Sequence, residues 1–518
     1  MRISTDLMQQ LGVNAILDQQ TLLSKTEQQL ATGLRIVTPA DDPAGASRVL
    51  SLTQVSNITG QYQNNITAAR NSLNMESGAL TGVVDVLQRA NELALQGNSG
   101  TVNNQGRSSI ALEVQQLLQQ AKDLANSKDS NGAYIFAGYK SATQPYTQSG
   151  SSYIYNGDSG QRMVQISDGR QIAVSDSGYN VFGGIRNGNG TFVAAADGSN
   201  TGSGVIDAGS VTDTSSYVSG NYKVVFPQDT AATGSLTFND ANNNDSLTYT
   251  LQINGTTVYT VNDGGSPINT LSGLASQINA SESTTGVHAY TASGKLYLAN
   301  TTPGSNPITV TEQLSGASDG NSDTVSGYFG SALTGASNTS STITYSPQAA
   351  TSYIVADASN NVVTSGSYQS GDQIAFNGMQ VSVSGAPQTS DSFSIGPSAN
   401  QDIFTTLQNL ADALNKGVTD AASQASLNNS INNVLSSLDK SLNNVVNYNA
   451  QVGARLNALD GQESVNTNLI QVIEQTKSQT QDLDYASAAS KMNQQLVALQ
   501  AAQQSFVKIQ NLSLFNFL

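Results

Sequence analysis

Apolar residues recur at helical spacing from Ser4 to about Ser127, and again from Ile403 to Ile509. The stretch between them has short alternating runs broken by glycine and Asn-Gly or Asp-Gly pairs. This three-part pattern limits the fold more than any single motif does. In the first segment Ile16, Leu23, Leu30 and Val37 fall on a seven-residue repeat, the spacing of a coiled-coil seam. After a break at Thr38-Pro39-Ala40-Asp41-Asp42-Pro43, a second helix carries Val55, Ile58, Tyr62, Ile66, Ala69 and Leu73. It continues through Leu80, Val83, Leu87, Ala90 and Ala94 after one seven-residue gap, and a kink or break is expected near Ser77-Gly78. A loop at Gly97–Gly106 precedes a third helix bearing Ile110, Val114, Leu117, Ala121 and Leu124.

The C-terminal segment mirrors the first. Ile403, Leu407, Leu410 and Leu414 mark a short helix, and Ile431 through Leu459 a long one. A last helix carries Met492, Leu496, Leu499, Phe506 and Ile509. Neither end can bury its stripe alone, so the simplest arrangement pairs the N- and C-terminal helices into one rod with the middle inserted. In that middle, Val164–Val174 reads as strand, turn, strand, and Leu247–Val261 as a hairpin turning at Asn254-Gly255. Ser, Thr, Asn and Gly enrichment at Gly184–Ser219 and Ser315–Ser341 reads as loops or soft boundaries. The expected fold class is α+β multidomain: a helical rod of coiled coil plus helical bundle, with inserted all-β domains. The expected divisions are 1–45 with 470–518 as terminal coiled coil, and 46–138 with 400–469 as helical rod. Residues 139–210 with 342–399 form a β domain, and 211–341 a second β module.

Composition removes several function classes. The 21 Lys and Arg against 37 Asp and Glu give a net charge of −16, a poor match to a phosphate backbone, so no nucleic-acid partner is expected. No run approaches the ~20 apolar residues of a membrane helix, so no membrane insertion is expected, and Met1–Asp6 has no apolar leader core. The absence of Cys excludes disulfides, thiolate metal sites and cysteine nucleophiles. The single histidine, His288, has neither a second His nor a Cys to join it, and reads as a surface or packing residue.

Other candidates also read as structural. Asp240–Asp245 lacks the Gly and distal Glu of a calcium loop and reads as a solvated turn. Gly183–Gly190 has no P-loop lysine or following helix. Asp41-Asp42, next to Pro43, reads as a helix cap rather than paired catalytic carboxylates. No catalytic constellation, cofactor site or metal site is expected. The helices carry Gln and Asn where ion pairs are usual, as at Gln115-Gln116, Asn443-Asn444 and Gln494-Gln495. Such faces are either solvated or buried against neighbours, where amides avoid the desolvation cost of charges. Burial is the favoured reading.

Specific motifs then match a family. Ala31-Thr-Gly-Leu-Arg35-Ile-Val-Thr-Pro-Ala-Asp41-Asp42-Pro-Ala-Gly45 resembles the link between the first two helices of flagellin-type axial proteins of the bacterial flagellum. Met1-Arg2-Ile3-Ser4-Thr5, Gly157–Arg162, Ile166–Arg170, Asp484-Tyr485-Ala486 and Leu512–Leu518 resemble its hook-associated members rather than flagellins proper. Leu251–Gly255, Leu271–Asn279, Thr285–Val287 and Lys295–Leu298 resemble the small module inserted in flagellins and filament caps, the hook IN motif.

The resemblance implies a structural subunit and not an enzyme: a hook-associated adapter joining hook to flagellin filament. The alternative is a flagellin forming the filament itself. The implied partners are copies of itself in a ring, the first hook-associated protein on the hook side, flagellin on the filament side, and an export chaperone. The implied location is the extracellular hook–filament junction, reached through the flagellar type III system. Assembly is assigned to Ile16, Leu23, Leu30, Leu34, Arg35, Leu496, Leu499 and Phe506, together with the apolar tail Leu512, Leu514, Phe515, Phe517 and Leu518. Leu87–Gln96 resembles the flagellin stretch that an animal innate receptor reads, with Arg89, Glu92 and Leu93 as possible contacts.

Overall fold

The structure is a computed structural model and describes residues 5–239, 246–316, 324–334 and 338–511. Its helices are α1 (Thr5–Thr32), α2 (Pro43–Gly97), α3 (Asn104–Ala125), α4 (Leu271–Asn279), α5 (Glu282–Thr285), α6 (Ile403–Leu414), α7 (Ala421–Gln481) and α8 (Tyr485–Asn511). Helices at both ends of the sequence thus flank an inserted β-rich region. The chain forms two compact units. One comprises Met1–Asn74, Met163–Val174 and Gly453–Leu518, and the other Met75–Arg162 and Ser175–Val452. The Asp240–Asp245 turn, the Met1–Ser4 start and the Leu512–Leu518 tail lie outside the described residues.

In the first unit, α2 starts where its sequence says it should. Pro43 occupies the first helical position, and the Asp42 carboxylate accepts from the Gly45 N–H at 2.9 Å, satisfying a donor that the helix cannot. Asp41 acts one step earlier, accepting from the Val37 and Thr38 N–H groups at 3.1 and 2.8 Å. The hairpin Met163–Ser167 and Arg170–Ala173 joins this unit through two buried side chains, Ile166 and Ile172. The Asn65 amide of α2 donates to the Gln165 carbonyl at 2.9 Å, and the buried Asn466 of α7 to the Ile166 carbonyl at 3.1 Å. Arg70 of α2 pairs with Asp460 at 2.7 Å and also with Glu463, both on α7.

α2 does not break at Ser77-Gly78; it runs unbroken for 55 residues. A helical glycine costs about 1 kcal/mol, and the continuous buried stripe on either side outweighs it. The seven-residue gap between Leu73 and Leu80 is also filled. Glu76 sits there fully buried and accepts from the Asp176 N–H at 2.9 Å.

The second unit holds a helical part and two β parts. Leu80, Val83 and Leu87 of α2, Ile110 and Val114 of α3, Leu407 and Leu410 of α6, and Leu427 and Ile431 of α7 are all buried. Beside them Phe136, Tyr146, Phe182 and Phe404 pack edge to face or tilted, with ring centroids 4.7 to 6.4 Å apart. The first β part is an antiparallel five-stranded sheet in the order Val362–Ser367, Ser352–Asp357, Tyr222–Val225, Ser392–Pro397, Phe192–Ala196. Strands Gln373–Phe376 and Met379–Ser384 share its core, with Val224, Phe226, Val381 and Phe393 buried together. In the second β part, α4 packs its Leu274 and Ile278 into the same core as Leu251, Ile253, Val287 and Leu298. The hairpin there turns at Asn254 and Gly255, both with positive φ (47° and 78°), as a tight right-twisted hairpin requires.

Three further expectations need correction. The strand Tyr222–Val225 belongs to the five-stranded sheet, so the first β domain extends past residue 210. Gly184–Ser219 contains the edge strand Phe192–Ala196, and the described part of Ser315–Ser341 contains Thr324–Ser326 and Ala332–Thr334. Small polar residues dominate there because these strands are short or face solvent on one side, which resembles loop composition. Finally, the second module is not all-β, because α4 forms part of its core.

Candidate assembly surface

α1 and α8 pack against each other within the first unit. Near one end a Cβ added to Gly12 would lie 2.9 Å from the Phe506 ring; near the other, one added to Gly33 would lie 2.8 Å from the Tyr485 hydroxyl. Advancing along α1 therefore means retreating along α8, and the pair is antiparallel. Along α1 and one residue past its end, Gln9, Gly12, Ile16, Gln19, Leu23, Thr26, Leu30 and Gly33 are covered, spaced alternately by three and four, with Gln29 covered beside them. On α8 Ala488, Met492, Gln495, Leu499, Ala502 and Phe506 are covered with the same alternation, flanked by the partly covered Ala489 and Ala498. This is a heptad seam on both helices.

The expected seam residues Ile16, Leu23, Leu30, Leu499 and Phe506 lie in it, half-buried. Leu496 does not: it sits off the seam and is 36% exposed. The other half of the α1 repeat is Gly12, Gln19, Thr26 and Gly33, which no search for apolar periodicity finds. Gly12 earns its place by letting the Phe506 ring lie against the α1 backbone. Gln19 and Gln495 each hold a buried side-chain oxygen with no hydrogen-bond partner among the described residues, a costly arrangement within a seam.

Beyond the seam, a backbone clasp ties the ends of two helices. Leu34 and Asp482 form an antiparallel bridge, the Arg35 N–H donates to Gln481 at 2.7 Å, and the Leu483 N–H donates to Gly33 at 2.9 Å. Gly33 has φ +71°, open to glycine and strained for other residues. The Arg35 guanidinium, largely exposed, donates to the Thr480 carbonyl at 2.6 Å and lies 3.5 Å from Asp42. Lys25 of α1 reaches Asp41 at 2.6 Å. That ammonium, together with the Thr38 N–H, holds the Asp41 carboxyl well below the usual carboxylate range. Leu34 and Arg35 thus join α1, α2 and the α7–α8 link rather than standing free.

Away from the seam, α1 has a second apolar face. Leu7, Leu11 and Leu22 fall within roughly 60° of one another on a helical wheel at 100° per residue, and all are exposed. Val497 and Val507 of α8 are exposed as well. Apolar side chains on a helical face with no covering element mark a site of association.

In the second unit, Arg89 and Glu92 point outward, and the Arg89 guanidinium bonds Glu92 at 2.9 Å and Glu113 of α3 at 2.8 Å. Leu93 does not belong with them. At 1% exposure it faces the helical core, one residue further round the helix from Glu92. Of the Asp41-Asp42 pair, Asp42 caps α2 and Asp41 instead holds the Val37–Thr38 backbone of the link. His288 is packed, its Nδ1 2.8 Å from Glu282 and its ring 4.4 Å from Tyr290. Among the described residues no group of three His, Cys, Asp or Glu is placed to hold a metal ion, and no helix is long and apolar enough to cross a membrane.

Comparison with known proteins places this architecture. The bacterial flagellin N-terminal helical region matches residues 3–141. Flagellar hook-associated protein 3 of Escherichia coli (strain K12) is 34% identical over 199 residues, covering 38% of this chain and 61% of that protein. Its counterpart in Salmonella typhimurium is 33% identical over 187 residues, covering 36% of this chain and 58% of that protein. The chain thus spans about three fifths of the length of these relatives. Among solved structures, the flagellar junction protein FlgL from Legionella pneumophila superposes with a TM-score of 0.55 at 26% identity, over 84% of this chain and 100% of that one.

Proposed function

We propose that this flagellin-like chain of the hook-associated type is a structural adapter joining the flagellar hook to the flagellin filament. The observation that carries this reading is the unfinished apolar surface of α1 and α8. A subunit that works alone has no use for exposed Leu7, Leu11 and Leu22 on one helical face, whereas a subunit stacked among copies buries them. The likeness to hook-associated protein 3 supports the same reading. The role is mechanical rather than enzymatic: no bond is made or broken, and the stabilising term is burial between neighbours.

On this reading the partners are copies of the chain in a ring, the first hook-associated protein on the hook side and flagellin on the filament side. The chain reaches the outside of the cell through the flagellar type III system, escorted by an export chaperone. It contacts neither nucleic acid nor the membrane interior. The assembly residues are the seam positions Ile16, Leu23, Leu30, Leu499 and Phe506, the clasp residues Leu34 and Arg35, the exposed Leu496, and the tail from Leu512 to Leu518.

Labelled antibody on isolated flagella tests the proposal. A single band of label where hook meets filament is the expected result, and loss of the protein leaves hooks without filaments. Label distributed along the whole filament would instead identify a flagellin and overturn the adapter reading.

A further inference from the structure

An apolar groove of about 520 Å3 lies beside the clasp, where the α1–α2 link meets the start of α2. Ile36 forms its buried floor, Val37 and Pro43 line it, and Leu50 projects at its edge with 72% of its surface exposed. Among the described residues no charged side chain lines it; Thr53 and Gln481 are among its polar groups. A concavity of this size and character takes a few large apolar side chains.

The chain carries one short uncharged segment rich in such side chains. Leu512-Ser513-Leu514-Phe515-Asn516-Phe517-Leu518 has five large apolar residues in seven, with Ser513 and Asn516 able to meet the polar groups of the groove. It follows α8 directly. The antiparallel register, however, puts Asn511, the end of α8, beyond the Gly12–Phe506 level and the groove near the Gly33–Tyr485 level. Between those levels lie 21 residues of helix, or ~32 Å, and the stretch from Phe506 to Asn511 adds ~8 Å. Seven extended residues span at most ~25 Å. Seven residues starting at Asn511 are therefore too short to span the distance back to the groove of the same chain.

We propose that the groove formed by Ile36, Val37, Pro43 and Leu50 receives the Leu512–Leu518 segment of a second copy of this chain. Such a contact is heterologous: the tail of one copy meets the groove of the next, so it propagates from copy to copy. It deepens the adapter reading by naming the contact between copies, and rests on that reading only in requiring copies to meet.

The chain has no native cysteine, so engineered ones report without background. Full-length Leu50→Cys and Phe517→Cys proteins are mixed at high concentration and joined by a bismaleimide linker, with Phe515→Cys as a second tail position. The exposed Ser151→Cys in the Ser149–Ser152 turn replaces the groove cysteine as control. Leu50 is exposed, so its replacement leaves the fold intact. The expected result is a heterodimer in severalfold excess over the Ser151→Cys control. The double variant, Leu50→Cys with Phe517→Cys in one chain, gives a ladder of multimers. A closed monomer from the double variant, a Leu50–Leu50 dimer as main product, or no excess over control from either tail position would each overturn the proposal. The linkage is read on this chain alone, whereas the adapter reading is read by position on flagella. Either can therefore fail while the other stands.

Discussion

The two units use apolar residues in opposite ways. In the second, Leu251, Phe393, Val224 and Leu410 are all fully buried, and two closed β cores account for most of the large side chains. In the first, the fully buried apolar residues lie mostly on α2, α7 and one hairpin, while α1 and α8 leave leucines and valines on their outer faces, as α2 does at Leu50 and α7 at Val465 and Val472. The β parts satisfy themselves. α1 and α8 meet along a seam that includes glycine, threonine and two glutamine oxygens unpaired among the described residues, so the pair is held less firmly than the β cores. A single chain therefore combines a finished fold with an unfinished one, and periodicity alone does not separate them, since both sets of helices are amphipathic.

Core truncation should break the contrast most forcefully. Phe393→Ala is expected to cost the β core about 3–5 kcal/mol, read as a fall in its thermal midpoint. Leu22→Ala on the open face of α1 should change the stability of the free chain by less than about 0.5 kcal/mol while slowing self-assembly. Equal thermal losses for the two would erase the distinction.

Next in size is the clasp. Gly33→Ala forces a side chain into left-handed backbone against Tyr485, at a cost of about 1–2 kcal/mol. Limited proteolysis of the monomer should trim both termini and leave a resistant fragment containing the β parts, and the substitution should speed only the trimming. Full-length resistance in a verified monomer would refute the idea that α1 and α8 await their neighbours.

A smaller effect runs the other way. Gln495→Leu removes a buried amide with an unpaired oxygen and should stabilise the α1–α8 pair by about 1 kcal/mol, measured as slower amide exchange in both helices. Faster exchange would mean that the glutamine has a partner in the seam.

The smallest effect depends on pH. Because Lys25 and the Thr38 N–H lower the Asp41 carboxyl in the folded chain, its contribution is fully present above the ordinary aspartate value of ~3.9. It is lost as the pH falls from there through the lowered folded value. Amide exchange at Val37 and Thr38 should therefore be faster in Asp41→Asn than in the parent at neutral pH, and the difference should close in acid. A gap that widened on acidification would reverse the assigned sign.

The sequence made most helices legible because their apolar stripes are dense: α3, α6 and α7 lie where Ile110, Leu407 and Ile431 place them. The gaps in those stripes were harder to read. The interruption between Leu73 and Leu80 looked like a kink, yet a buried carboxylate, Glu76, holds that position with the Asp176 backbone as partner. Half of the α1 seam was invisible because Gly12, Gln19, Thr26 and Gly33 carry no apolar signal, and Leu496 was drawn into the α8 seam only because it is a leucine. Leu93 looked like a companion to Glu92, but one helical step of 100° separates a solvated face from a core. The clasp depends on backbone groups far apart in sequence, for which side-chain pattern gives no cue.

The second β module enters and leaves the chain by adjacent doors. The strand Tyr222–Val225 leads into it, the strand Ser352–Asp357 follows it, and these two pair antiparallel with Val225 opposite Ile354. A tight turn could join them directly, so the module is an exchangeable cassette mounted on a sheet that does not depend on it for connectivity. What replaces it must still cover Ile354 and Ala356, which now rest against Tyr290 and Tyr297 of the module. Within that one restriction, the module is free to diversify or to carry foreign cargo while the sheet that holds it keeps its strand order.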